Sequence, residues 1–161
     1  MAAYVAGHGG LSSPDTGTAS NGQGVSPAVG LQAGARLLIF EVYGDHTTFG
    51  SSASVSRGIL GLRGAVGFGK TRLVLRGGGG VLAERGGALT GHLGGTPDRT
   101  GPVGRAGIAL ERQIAPMLLF GGGLDGEIFT LVVADSPTAV ESRTTGSDVF
   151  FSLHLKFEIG I

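Results

Sequence analysis

The sequence predicts an all-β protein: a closed, eight-stranded, antiparallel up-and-down transmembrane β-barrel with a polar, charged interior. Three observations support this fold class. Apolar residues alternate with other residues along eight segments, the charged residues of these segments share the opposite face, and long and short connections alternate between the segments. A period of two is typical of β-strands, and a meander of such strands can close into a barrel.

The C-terminal segment, residues 149–161, shows the alternation most completely. Every second residue in it is apolar, and the residues between them include His154, Lys156 and Glu158. Because successive side chains of a β-strand point to opposite faces, this strand has one fully apolar face and one polar face. A helix would distribute both sets around its circumference, so the pattern favours a strand.

The same alternation predicts seven further strands. They are 2–12, 27–37, 38–49, 59–69, 72–84, 103–115 and 117–133. Stretches rich in Gly, Ser, Asp and Pro, which are typical of loops, predict long connections at 13–26, 50–58, 85–102 and 134–148. Short turns are expected near 37–38, 69–71 and 115–116. Because no Gly, Pro or Asn marks the turn at Leu37 and Leu38, a bulge within one long strand is an alternative there.

Length and composition fit one domain over residues 1–161 and exclude several classes of protein. The 12 basic residues equal the 12 acidic ones, so no charge excess indicates a nucleic-acid partner. The absence of cysteine excludes disulfides and thiolate metal sites. The 33 glycines follow no three-residue repeat, and a mean hydropathy of +0.28 is too high for a disordered chain. No apolar run reaches the roughly 18 residues of a spanning helix, and we expect no signal peptide at this N-terminus.

The charged residues of the predicted strands share one face. They are Arg36, Glu41, Asp45, Arg63, Arg72, Arg76, Glu84, Arg105, Glu111, Asp125, Glu127, Lys156 and Glu158. Only Arg112 departs from this rule. The cations and anions nearly balance. This is expected of charges in an enclosed space, because burying an unpaired ion costs on the order of several kcal/mol. We therefore expect these residues and His154 to form a polar network inside the barrel. Glycines on the same face would leave room for long side chains: Gly30, Gly34, Gly61, Gly67, Gly107 and Gly121.

Four phenylalanines of the apolar face lie near the short turns: Phe40, Phe68, Phe120 and Phe157. Aromatic residues form girdles where a membrane barrel crosses the interface between lipid and water. The four residues therefore predict an aromatic ring at the end of the barrel that carries the chain termini.

With these features the chain resembles the OmpA/OmpX-type eight-stranded outer-membrane β-barrels of Gram-negative bacteria over essentially its whole length. The resemblance implies a location in the bacterial outer membrane, contact with membrane lipid, insertion by the barrel-assembly machinery, periplasmic termini and long loops outside the cell. The terminal strand of that family usually ends in Phe or Trp. This chain instead ends in Ile161, has no Trp and has only two Tyr.

The candidate reactive groups predict neither a catalytic site nor a metal site. His8 and His154 face the interior on strands that become neighbours when the barrel closes. Two ligands are too few for a metal, so we expect a hydrogen-bonded pair. Ser152, His154 and Glu158 share a face, but residues two apart on a strand lie side by side and do not form a Ser–His–acid relay. The other histidines are His46 and His92.

The expected function is that of a non-enzymatic, monomeric membrane scaffold that presents its long loops and needs no cofactor. Ion pairs would close its interior and leave at most a narrow water path. Two alternatives remain open. A lipid-modifying outer-membrane enzyme would have the same architecture, and a soluble barrel that binds an apolar ligand would point its apolar face inward.

Overall fold

The computed structural model describes residues 1–15, 25–50, 53–89, 98–133 and 143–160. These residues form eight strands: β1 (Ala2–Asp15), β2 (Ser26–Leu37), β3 (Phe40–Phe49), β4 (Ala53–Phe68), β5 (Thr71–Arg85), β6 (Arg99–Ala115), β7 (Leu118–Val133) and β8 (Arg143–Gly160). Within these ranges, no helix is long and apolar enough to cross a bilayer.

The eight strands close into one barrel. Each strand pairs antiparallel with the next, and β1 pairs with β8. This confirms the predicted eight-stranded antiparallel barrel. Cross-strand partners followed once around the barrel from Ala2 return to β1 at Pro14. That stagger tilts the strands against the barrel axis, as closure requires, and closure removes the exposed edges of the sheet.

Several strands extend further than their composition indicated. β4 begins at Ala53, β6 at Arg99 and β8 at Arg143, while β1 continues to Asp15. The predicted loops at 13–26, 50–58, 85–102 and 134–148 were therefore too long. Parts of all four loops lie outside the described residues, namely 16–24, 51–52, 90–97 with His92, and 134–142, as does Ile161.

The connection between β3 and β4 departs most from the prediction. Phe49 pairs with Ala53, so only residues 50–52 join the two strands. The serine-rich stretch that follows is strand, because its polar residues alternate with the inward-facing Val55 and Arg57, which are buried. Small polar side chains on the outward face gave this stretch the composition of a loop.

Tight turns join strands at the end of the barrel that carries the termini, which we call the short-turn end; the opposite end is the loop end. Leu38 and Met117 take left-handed φ angles of 57° and 65° there. This conformation costs roughly 1–2 kcal/mol for a residue with a Cβ atom. Backbone hydrogen bonds hold the turns, since Arg63 N donates to Ile39 O at 2.7 Å and Glu158 N donates to Met117 O at 2.8 Å. β2 and β3 are thus separate strands.

Candidate functional site

The two faces of the barrel wall differ in chemistry. The outward face exposes large apolar side chains such as Leu60 (66% exposed) and Ile128 (69%), whereas Glu84 and Glu111 are only 2% exposed. The four phenylalanines near the short turns are all exposed on the outward face: Phe40, Phe68, Phe120 and Phe157. We call this surface the apolar belt; with those four it comprises Val5, Leu11, Val29, Leu31, Val42, Leu60, Leu62, Val66, Leu75, Val81, Ile108, Leu110, Leu124, Ile128, Val149, Phe151, Leu153 and Leu155.

The charged residues predicted for the interior fall into two burial groups. The buried group comprises Glu41, Asp45, Arg63, Glu84, Arg105, Glu111, Asp125, Glu127 and Lys156. The partly buried group comprises Arg36, Arg72, Arg76 and Glu158, and His154 belongs with it. Arg112, the exception in the sequence, is exposed.

A basal cluster gathers near the short-turn end around Glu111 and Glu158; its other members are Arg36, Arg63, Arg72, Lys156 and His154. Arg72 joins the two carboxylates, with Nε 2.7 Å from Glu111 Oε2 and Nη2 2.8 Å from Glu158 Oε2. Arg63 Nη2 and Lys156 Nζ also donate to Glu111. One carboxylate thus serves three cations, which requires their side chains to converge from β4, β5 and β8.

The edge of the basal cluster is more open. Arg36 Nη2 donates to Glu158 Oε1 at 3.1 Å, and these two side chains are 22% and 15% exposed. Glu41 lies 3.8 Å from Arg63 Nε. The short-turn end is therefore where water can reach the network most readily.

A central group forms around Asp125. Arg76 grips this carboxylate with two bonds, Nε to Oδ1 at 2.9 Å and Nη2 to Oδ2 at 2.5 Å. Arg105 Nη2 donates to the same Oδ2 at 3.1 Å. The backbone position opposite Asp125 is Gly107, where a Cβ atom would overlap the carboxylate. Glycine at this position therefore makes room for the ion pairs.

Arg57 holds a third group together, and the sequence prediction missed it. Its Nε and Nη2 each donate to Glu127 at 2.8 Å, and its Nη1 donates to Asp45 Oδ1 at 2.9 Å. Thr47 Oγ1 also donates to Asp45. Arg57 lay inside the predicted loop at 50–58. Continuing the strand alternation back from Ile59 would have placed its side chain inside.

Apolar residues fill the interior toward the loop end. This upper apolar cluster comprises Val55, Leu82, Leu89, Val103, Phe129 and Leu131, each at most 4% exposed. All its members on strands lie near strand ends remote from the short turns. The sequence analysis did not predict it, because the inward face was taken as polar throughout.

Leu89 reaches this cluster from the connection after β5. Gly86 and Gly87 both take left-handed φ angles, 66° and 69°, which turn the chain back toward the barrel. Leu89 N then donates to Glu84 Oε1 at 2.6 Å, and the Leu89 side chain is fully buried. Glu84, predicted as a member of the ion-pair network, thus anchors the segment that covers the upper interior.

Among the described residues, the histidines and serines do not assemble into a catalytic or metal site. His8 and His154 are paired across β1 and β8, but their rings contact different partners: His8 Nε2 lies 3.3 Å from Thr47 Oγ1, and His154 Nε2 lies 3.3 Å from Glu111 Oε1. The expected hydrogen bond between them is therefore wrong. Glu158 is held by Arg36 and Arg72 rather than by His154. Over the described ranges, no group of three or more potential ligands could hold a metal ion.

Comparison with known proteins identifies the fold. No family model and no curated protein matches the sequence. The structure is similar to Neisserial surface protein A (NspA), with a TM-score of 0.69, 11% identity and coverage of 98% of each chain. It is also similar to the N-terminal β-barrel domain of OprF from Pseudomonas aeruginosa, with a TM-score of 0.57, 11% identity and coverage of 97% of each chain. The chain therefore has the fold of small eight-stranded outer-membrane β-barrels of the OmpA/OmpX type.

Proposed function

We propose that this protein is a bacterial outer-membrane β-barrel that acts as a non-enzymatic scaffold and presents the connections of its loop end outside the cell. One observation carries the proposal: the apolar belt covers the outside while charged residues are buried within. A soluble protein shows the opposite distribution. In hydrocarbon, a closed barrel pairs its backbone groups internally and turns apolar side chains toward lipid.

The first test is whether the protein needs a membrane environment. We expect the refolded chain to remain monodisperse only in detergent or lipid, and to migrate differently on a gel before and after heating. A monodisperse, folded protein in detergent-free buffer would contradict a membrane location and would favour a soluble barrel.

A substitution in the apolar belt tests the orientation directly. Leu124→Lys places a charge on the outward surface of β7 and should make insertion into vesicles less favourable by about 2–4 kcal/mol. Ser54→Lys, at the loop end of β4 beyond the belt, is the matched control and should insert like the parent. Equal insertion of both variants would show that the belt does not face hydrocarbon.

We further propose that the interior ion pairs plug the barrel and leave at most a narrow water path. The support lies in the contacts of the basal cluster, the Asp125 group and the Arg57 group, which cross the barrel from several strands. Arg76→Ala or Glu127→Ala should then raise conductance in planar bilayers or lower the melting temperature in detergent. If both variants match the parent in both measurements, the plug is disproved.

The absence of enzymatic activity is part of this proposal. Ser12 Oγ donates to both oxygens of Asp148, and His154 and Glu158 contact charged partners of the basal cluster, so these groups are engaged in structural bonds. We expect no hydrolysis or acyl transfer when the refolded protein is incubated with phospholipid or lipid A. Turnover that depends on Ser12 or Ser152 would support a lipid-modifying enzyme instead.

The proposal also covers how the barrel is inserted and its oligomeric state. We propose that β8, with its regular outward apolar residues, is the strand that the barrel-assembly machinery engages, and that the folded barrel is monomeric. Both statements are tested by insertion assays with reconstituted machinery and by the mass of the protein–detergent complex.

A further inference from the structure

A small cavity lies among the charged residues in the middle of the barrel. Its volume is about 20 Å³, enough for one water-sized guest. Gln32 from β2, Arg63 from β4 and Arg105 from β6 line it, and these residues are 8%, 4% and 8% exposed. Three strands thus contribute buried polar side chains to one small cavity.

Five buried polar atoms of the lining residues lack a hydrogen-bond partner among the described residues, and four of them are N–H donors; the fifth is His154 Nε2, which lies 3.3 Å from Glu111 Oε1. Gln32 Nε2, Arg63 Nη1 and both Nε and Nη1 of Arg105 make no hydrogen bond within the described part of the chain. Buried donors are nearly always paired, because leaving one unpaired costs its full desolvation energy. Their arrangement around one cavity indicates a guest that accepts several hydrogen bonds.

Most of the charged side chains that line the cavity are cations. Four cations line it, namely Arg63, Arg76, Arg105 and Lys156, against the carboxylates of Asp45 and Glu111. Asp125, just outside the lining, already pairs with Arg76 and Arg105, so the unpaired donors select the guest. A water molecule accepts about two hydrogen bonds, whereas a monovalent anion accepts from every donor within reach. We propose that this cavity is a binding site for a small monovalent anion of the size of chloride or bromide.

This site goes beyond the scaffold function and does not depend on it. The bound anion would complete the pairing of Arg63 and Arg105, which otherwise hold donors that no carboxylate reaches. It would also make the interior prefer anions over cations if ions pass through it. The neighbouring ion pairs of Asp125 and Glu111 would stay as they are.

Bromide is the probe for the first experiment. The refolded protein is heated in neutral detergent while bromide replaces gluconate at constant ionic strength, so that screening does not change. We expect a saturable rise in melting temperature of about 2–4 °C at several times the dissociation constant. Crystals soaked in bromide should show an anomalous peak within hydrogen-bonding distance of Arg63 and Arg105. A melting temperature that does not respond, or a peak absent from the cavity, would overturn the proposal.

A pair of matched variants separates binding at the cavity from a general salt effect. Gln32→Glu replaces a donor at the cavity by a negative charge. It should raise the bromide concentration needed for the half-maximal rise in melting temperature at least about tenfold. Gln113→Glu makes the same chemical change on β6 near the short-turn end, away from the cavity, and should keep the response. If Gln32→Glu does not fold, Gln32→Leu removes the donors without adding charge and should also weaken it. A full response in a Gln32 variant, or an equal loss in Gln113→Glu, would refute the site.

Discussion

The two ends of the barrel interior are filled in opposite ways. Toward the short-turn end, Glu111 and Glu158 bind cations that converge from several strands. Toward the loop end, Val55, Leu82 and Phe129 pack together under Leu89. Exposed apolar side chains lie outside both regions, Phe157 beside the first and Val81 and Ile128 beside the second, so the outward surface alone does not decide what fills the inside.

The two kinds of interior packing should respond differently to the loss of one side chain. An apolar cluster loses contacts in proportion to the atoms removed and the cavity that remains. An enclosed ion pair fails abruptly, because removal of one partner leaves the other charge buried and uncompensated. The ionic region should therefore tolerate single changes poorly, and the apolar region should tolerate conservative ones.

The largest expected effect follows from removal of Arg57. Arg57→Ala leaves both Asp45 and Glu127 without their cation and should lower the free energy of unfolding by about 3–5 kcal/mol. The measurement is urea unfolding in lipid vesicles. Arg112→Ala, which truncates an exposed arginine, is the control and should lie close to the parent. Similar losses in both variants would show that burial of Arg57 has no energetic consequence.

The apolar region should lose less from truncation of one side chain. Leu82→Ala removes a side chain that is 1% exposed. The lost contacts and the new cavity should lower the free energy of unfolding by roughly 2–5 kcal/mol, and we expect a value near the middle of this range. Leu60→Ala on the belt loses only the transfer of its side chain from water to lipid, roughly 1–2 kcal/mol. Unfolding titrations of the two variants should therefore differ, and identical losses would argue against a packed upper cluster.

The glycine opposite Asp125 gives a smaller and more local test. Gly107→Ala should push the Asp125 carboxylate away from Arg76 and cost about 1–3 kcal/mol. Gly126 follows Asp125 on β7, and a Cβ atom there would meet nothing within 4 Å. Gly126→Ala should therefore be neutral or slightly stabilising. Conductance of Gly107→Ala would report whether the displaced carboxylate opens the central group.

Much of this architecture could be predicted because one periodicity controls it. Each strand must show apolar side chains on its outward face, so the phase of residues such as Arg76 and Glu127 follows from their apolar neighbours. The same rule failed where the outward residues were small and polar. Around Ser54 and Ser56 only the inward residues keep the pattern, because the outward ones are small and polar. Arg57 was therefore not recognised as an inward residue, and the predicted β4 began too late.

Partner choice inside the barrel could not be predicted from the sequence. Arg57 and Glu127 are 70 residues apart, and they meet because the strand stagger brings β4 and β7 side chains to one level across the interior. Alternation within a strand carries no information about that stagger. The inward apolar residues Leu82 and Phe129 were overlooked for a different reason: they share the phase of the charges, and phase alone does not distinguish the two fillings.

The smallest effect should come from the ion pair at the surface of the loop end. Arg85 Nε lies 3.3 Å from Asp98 Oδ2, and the two side chains are 76% and 56% exposed. Water and salt screen such a pair, which contributes about 0–1 kcal/mol, so Arg85→Ala should change the free energy of unfolding by no more than this. The comparison is with Arg57→Ala in the same vesicles at two salt concentrations. Only the small contribution of Arg85 should fade as salt rises, because the Arg57 pairs are shielded from ions. A loss at Arg85 as large as that at Arg57 would mean that burial does not set the strength of these pairs.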